Sequence, residues 1–285
     1  MNRIDVGRAA QAACILEAVS AKPGNVNRLF DFADTALTDF LLSAVMIGRC
    51  MEKADRQPVG KTVLSAVQVT RRIVPCNTNL GIVLLLAPLA KAYGGGDLRI
   101  AIRGVLQSLT VADAVLVSRA IRLASPGGLG RAEAQDVACD PDVTLLELMS
   151  LARARDAVAR EYATGYAITF ELAYPALDRY LKQDGDFSSA IVQAYLTVLA
   201  EVPDTLIARK KGFKAAQTVS RMATKVLRAG GLASGNGKKQ VQKFDTFLRS
   251  EGNSLNPGTT ADLIAAAIFT YFLQRGLDAW QRSRA

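Results

Sequence analysis

Apolar residues recur along this chain at three- and four-residue spacing, and no strand-length stretch alternates between apolar and polar. That period predicts helices. The first runs over Val6–Ser20 and is stopped by Lys22-Pro23-Gly24. Asn25–Ala33 reads as irregular, after which Asp34 or Thr35 can cap a helix reaching Lys53. The pattern continues over Val59–Ile73, Leu80–Ala92, Leu98–Leu106 and Val111–Leu123, then breaks at Ser125-Pro126-Gly127-Gly128. Beyond the break it predicts Leu145–Ala163, Tyr166–Leu181, Ser188–Glu201, Ala215–Ala229, Lys239–Arg249 and Thr259–Gly276. No fixed-period repeat and no long linker divides the chain. The expectation is all-α: one compact, bundle-like domain over residues 1–285, with about a dozen helices.

Composition agrees. Half the residues are hydrophobic but only 6% are aromatic, a mix that suits close helix packing better than a β-sandwich. The apolar runs Leu80–Ala90 and Leu263–Leu273 are about half a membrane span. The start, Met1-Asn2-Arg3-Ile4-Asp5, has no apolar core of a signal peptide. Cys14, Cys50, Cys76 and Cys139 are widely spaced, which argues against zinc and against a disulfide framework. A cytoplasmic protein with buried helices is expected, with no membrane partner; a homo-oligomer is left open.

The chain has no histidine. No Ser-His-Asp triad, Cys-His pair or imidazole metal site can be built from it. A base near neutral pH must be a shifted carboxylate, Lys, Cys or Tyr. The charge balance is 35 Lys and Arg against 26 Asp and Glu, or +9, which invites an anionic partner. Arg209-Lys210-Lys211 with Lys214, and Lys238-Lys239 with Lys243, are the densest clusters. No aromatic residues interleave them and no DNA-binding motif surrounds them, so nucleic acid is not the expected partner. A polyphosphate site or a solvated basic face remains.

Four breaks between helices carry chemistry. Asn256 suits an N-cap and Pro257 the first helical position, which puts Gly258, Thr259 and Thr260 in a first turn able to bind an anion. Asp262 follows, and Mg²⁺ could bridge it to phosphate. Asn77-Thr78-Asn79 opens the apolar helix at Leu80-Gly81, with Thr78 or Asn79 as cap. Lys22 and Arg28 flank the amides of Asn25 and Asn27, and Asp31 and Asp34 downstream are spaced to share one face as metal ligands. Asp204-Thr205 leads into Arg209-Lys210-Lys211, an acid beside phosphate-binding cations or an internal ion pair. Glu161 and Glu171, if buried, need cations or a metal. Each loop also reads as ordinary capping. No P-loop occurs, and Gly94-Gly95-Gly96 reads as a plain turn.

Taken in order, K-P-G-N-V-N-R, N-T-N-x-G, P-D-T-x-x-A-R-K and N-P-G-T-T-A-D resemble the triphosphoribosyl-dephospho-coenzyme A synthase family, from Glu17 to Leu273. The resemblance implies an all-helical, Mg²⁺-dependent transferase with ATP as substrate and a phosphorylated small molecule as acceptor. In that family a ribose hydroxyl of 3′-dephospho-coenzyme A displaces adenine from C1′ of ATP. By the same resemblance, Asp204 and Asp262 are the candidate bases or charge stabilisers. Asp31, Asp34, Asp204 and Asp262 are the candidate metal ligands. Lys22, Arg28, Arg209 and Lys210 would meet the triphosphate, while Asn25, Asn77, Thr78, Asn79, Asn256, Thr259 and Thr260 would orient oxygens. Better-known members carry His-Lys where Asn79-Leu80 stand, and further histidines near Asp31–Asp34 and Ala208. Their absence makes a related phosphoribosyl transferase with another acceptor, in one-carbon (methanopterin-type) cofactor synthesis, the second expectation. A non-catalytic basic binding protein is the third. Clustering of the four loops in one cleft would favour an enzyme.

Overall fold

A computed structural model describes residues 3–126, 139–184 and 186–282. The break at Gly127-Gly128 and the start at Met1-Asn2 lie outside the described residues. Fifteen α-helices follow one another among the described residues. They are α1 (Arg3–Val19), α2 (Leu37–Met51), α3 (Val59–Arg71), α4 (Leu80–Ala92), α5 (Leu98–Gln107), α6 (Val111–Ala124), α7 (Leu145–Ala152) and α8 (Ala157–Thr164). A π-turn at Thr169–Ala173 leads into α9 (Tyr174–Asp184), α10 (Phe187–Glu201), α11 (Thr205–Lys211), α12 (Phe213–Arg228), α13 (Gly235–Arg249), α14 (Gly258–Arg275) and α15 (Ala279–Arg282). No strand occurs among the described residues. None of their helices alone is long and apolar enough to cross a membrane.

Two apolar helices, α4 and α14, run through the centre and pack on each other. Nearly every side chain of α4 is buried, Pro88 included. A mid-helix proline has no N–H for the carbonyl four residues back, here Leu84. The buried Tyr162 hydroxyl fills that gap, donating to Leu84 O at 2.6 Å. Tyr166 donates to the next carbonyl, Leu85 O, at 2.8 Å. Two tyrosines from the α8 end thus let a proline sit in a buried helix without an orphaned carbonyl.

Three local readings change. The helix expected over Leu145–Ala163 is two, because Asp156 turns its carboxylate onto Val158 N and Ala159 N and restarts the helix as an N-cap. The stretch after Asp204 is helical for the same reason: its side chain accepts from Leu206 N and Ile207 N. The helix expected from Tyr166 instead begins with the π-turn. Buried Glu161 needs neither cation nor metal, because it accepts from Ile168 N (2.9 Å), Thr169 N (2.6 Å) and Thr169 Oγ1 (2.5 Å). Glu171 is exposed and pairs with Arg99.

Candidate active site

The turn after α1 is fixed from far along the chain. Gly24 adopts φ +78°, and an added Cβ would meet Leu248 at 2.8 Å, so α13 packs directly on its backbone. Asp245 accepts from Gly24 N at 2.8 Å, Arg249 donates to Asn25 O at 2.7 Å, and Tyr195 donates to Pro23 O at 2.7 Å. So held, Asn25 donates through Nδ2 to Asn256 Oδ1, which joins the first loop to the last. Asn25 Oδ1 is buried with no protein partner.

The N-terminus of α4 opens beside it. Asn79 is the N-cap residue, one of the two expected, but its side chain makes no capping bond; Asn77 instead accepts from Leu80 N at 3.1 Å. Thr78 and Asn79 tie the loop down: Thr78 Oγ1 lies 2.5 Å from Ser43 Oγ, and Asn79 Nδ2 donates to Thr70 Oγ1 at 3.1 Å.

The first turn of α14 departs from expectation. The N-cap is Pro257, one residue later than predicted. Three of its amides are already bonded, Gly258 N to Asn256 O, Thr260 N to Asp204 Oδ2 and Ala261 N to Pro257 O. Asp204 Oδ2 also accepts from Thr260 Oγ1 at 2.8 Å, while its Oδ1 caps α11. The anion bound at this helix start is therefore the protein's own Asp204. Burial pushes its carboxyl up from the ordinary range, opposed by these hydrogen bonds.

These elements enclose a cleft of about 750 Å³. Its walls include Asn25, Asp34, Asn77, Thr78, Asn79, Arg209, Lys210, Asn256, Thr259 and Asp262 from the predicted set. All four polar loops meet there. Arg209 binds Asp156 (2.6 Å) and leaves its buried Nε unpartnered. Lys210 donates to Asn253 O at 3.1 Å, and its ammonium pKa is lowered by partial burial.

Lys22, Arg28, Asp31, Asp204 and Thr260 are absent from the cleft wall. Lys22 is fully buried with its ammonium 2.9 Å from Glu17 Oε1. Arg28 is exposed elsewhere, and Asp31 accepts from Leu37 N at the start of α2. Asp31 and Asp34 sit in an irregular loop, not on one helical face. The expected metal set of Asp31, Asp34, Asp204 and Asp262 does not form, and no group of three or more Cys, Asp or Glu among the described residues could hold a metal ion.

Sequence reasoning missed Glu17, Asp156, Arg71 and Arg155 in the wall. Glu17 and Asp156 each had a readable signal, a lysine five residues on and an N-cap position before an apolar run. Ile121, Leu148, Met149 and Val158 add an apolar part to the cleft wall. Asp262 reaches the cleft one turn into α14 and is held well above the usual carboxylate range. Desolvation is the main cause, then the charges of Glu17, Asp204 and Asp156, with Arg209 opposing.

Basic charge is concentrated in the segment that supplies Arg209 and Lys210 to this cleft. Residues 205–249, spanning α11 to α13, hold 11 Lys and Arg and a single acid, Asp245. The other 240 residues carry 24 basic against 25 acidic side chains, so the whole excess of +9 resides in that segment.

Known proteins share this frame. A Pseudomonas syringae pv. tomato protein named a probable 2-(5''-triphosphoribosyl)-3'-dephosphocoenzyme-A synthase is 32% identical over 126 residues, 44% of this chain and 43% of that protein. The Escherichia fergusonii 2-(5''-triphosphoribosyl)-3'-dephosphocoenzyme-A synthase is 29% identical over 116 residues, 41% of this chain and 38% of that protein. These matches span less than half the length of either relative. A crystal structure from Archaeoglobus fulgidus, provisionally described as a triphosphoribosyl-dephospho-coA synthase, superposes with a TM-score of 0.64 at 26% identity, covering 82% of this chain and 99% of that one. Residues 3–281 match the family model for ATP:dephospho-CoA triphosphoribosyl transferase, and the chain belongs to that family.

Proposed function

We propose that the chain transfers a triphosphoribosyl group from ATP to a hydroxyl of 3′-dephospho-coenzyme A and releases adenine. The observation that carries this reading is the meeting of all four polar loops in one cleft around Asp262. Breaking the C1′–N bond builds positive charge on the ribose, which nearby carboxylates stabilise. Glu17 is the carboxylate for that carbon, with Asp262 beside it in the cleft wall. Arg209, Lys210 and Arg155 are the cations for the triphosphate, and the Asn25–Asn256 pair is set to read ribose oxygens. The apolar part of the wall suits the base or an uncharged arm of the acceptor. Mg²⁺ belongs to this reading as the counter-ion of the triphosphate. The described residues build no resident cation site, and no step here runs through one.

A second reading keeps the donor and changes the acceptor to a precursor in one-carbon cofactor synthesis. It is favoured by Asn79 and Leu80 in the cleft wall, where better-known members carry His-Lys. Thermal-shift titration separates binding from chemistry. ATP is expected to raise the melting temperature, and Arg209→Gln and Asn256→Ala to weaken that shift. A wild-type protein indifferent to ATP would contradict the reading.

A further inference from the structure

Ribosyl transfer to a hydroxyl takes one proton away and delivers another, and this chain has no imidazole for either task. Two carboxylates of the cleft wall, Glu17 and Asp262, sit in opposite surroundings. Glu17 has a dedicated cation. Lys22 is completely buried, and its three donor positions go to Glu17 Oε1 (2.9 Å), Glu17 O and Ser20 O (3.4 Å). None is left for a phosphate, so Lys22 acts on the site by positioning the Glu17 side chain. Asp262 has no hydrogen-bond or ion-pair partner among the described residues. Its carboxyl fills the space beside Gly81 at the start of α4, and the charges of Glu17, Asp204 and Asp156 disfavour its ionised form, with Arg209 opposing.

We infer that Glu17 and Asp262 divide the acid–base work of the proposed transfer, Glu17 taking the acceptor's hydroxyl proton and Asp262 supplying the proton with which adenine leaves. The acceptor O–C1′ bond forms as the C1′–N bond breaks, and the electron pair of that bond stays on the adenine nitrogen. Asp262's proton passes to adenine and the acceptor's proton to Glu17. Return of that proton from Glu17 to Asp262 resets the site, so the net change is ATP plus acceptor to product plus adenine. A carboxylate with a dedicated cation beside a carboxyl group without one is a recurrent way to place a base and an acid in one site. The inference rests on the transfer reading above.

The test compares ATP with 7-methyl-ATP, whose base departs without protonation, using free base as readout. With ATP, Glu17→Gln and Asp262→Asn are each expected to lose roughly 10²- to 10⁴-fold in turnover. With 7-methyl-ATP, Asp262→Asn is expected to return to within about tenfold of wild type while Glu17→Gln stays depressed. Equal losses on both donors would overturn the division of roles while leaving the transfer reading intact. If wild-type protein releases no base from either donor, the reading itself fails. Should a variant not fold, wild type alone decides. Its pH–rate profile on ATP is expected to rise and then fall, and on 7-methyl-ATP to lose the falling limb. Identical profiles would overturn the inference.

Discussion

A methyl group on Gly81 would lie 2.1 Å from Asp262 Oδ2 and 2.5 Å from its Cγ. The second residue of α4 is therefore glycine because a carboxyl group from α14 occupies the space a side chain would take. Gly81→Ala favours the helix by up to about 1 kcal/mol through propensity, yet it must push Asp262 aside. Turnover is expected to fall about 10²-fold, since small displacements of a reacting group cost that much. Steady-state kinetics beside circular dichroism checks this, and unchanged turnover would place Asp262 outside the chemistry.

The Lys22–Glu17 pair is buried at both ends. Removing one partner strands a charge, so Lys22→Met is expected to cost about 3–5 kcal/mol of unfolding free energy. The double variant Lys22→Met/Glu17→Gln should recover part of it. A urea-denaturation double-mutant cycle reads this coupling directly.

Asp204 has both oxygens committed, one to the start of α11 and one to Thr260. Asp204→Ala should cost about 1–3 kcal/mol, from the lost cap and the unsatisfied Thr260 donors. Because Asp204 does not line the cleft, the pH–rate profile should keep its limbs. A lost limb would return Asp204 to the chemistry.

Glu161 ties α8 to the π-turn, and burial pushes its carboxyl up to about 7 against an ordinary value of 4.5. The folded state therefore holds this proton more tightly than the unfolded chain. Its contribution is fully present below pH 4.5 and is lost as pH rises through 7. Denaturation midpoints measured across this window should fall less with rising pH in Glu161→Gln than in wild type.

Lys214, Arg221, Lys225 and Arg228 stand along α12 with no ion pair among the described residues. A field of this kind raises the arrival rate of anions and is screened by salt. Changing all four to Gln should lower kcat/KM for ATP several-fold at low ionic strength and leave kcat unchanged. The difference should vanish near 0.5 M salt, where the Debye length is only about 4 Å.

The helical class was legible because the apolar period is local, and so were most helix spans. The exceptions are instructive. Asp156 and Asp204 start helices by hydrogen bonds two and three residues ahead, and each carboxylate also binds a distant group, Arg209 or Thr260. Asp156 lay unmarked inside one expected helix and Asp204 read as an acid beside cations, because a carboxylate that caps and pairs at once leaves no separate local signal for either task. The same limit applies at the site. Asn25, Asn77, Asn256, Arg209 and Asp262 were readable as polar residues at helix breaks. Lys22 looked like a phosphate ligand because nothing nearby announces Tyr195, Asp245 and Leu248, which fold its turn inward. Glu17 passed unnoticed as one acid on an apolar helix, and only the packing of α14 on α1 brings it to Asp262.

The most direct measurement is free adenine, followed while wild-type protein is incubated with ATP, Mg²⁺ and 3′-dephospho-coenzyme A. Acceptor-dependent release, one adenine per acceptor consumed and abolished by Asp262→Asn, is the predicted result. No adenine with this acceptor, together with no thermal shift from any nucleotide, would contradict the account.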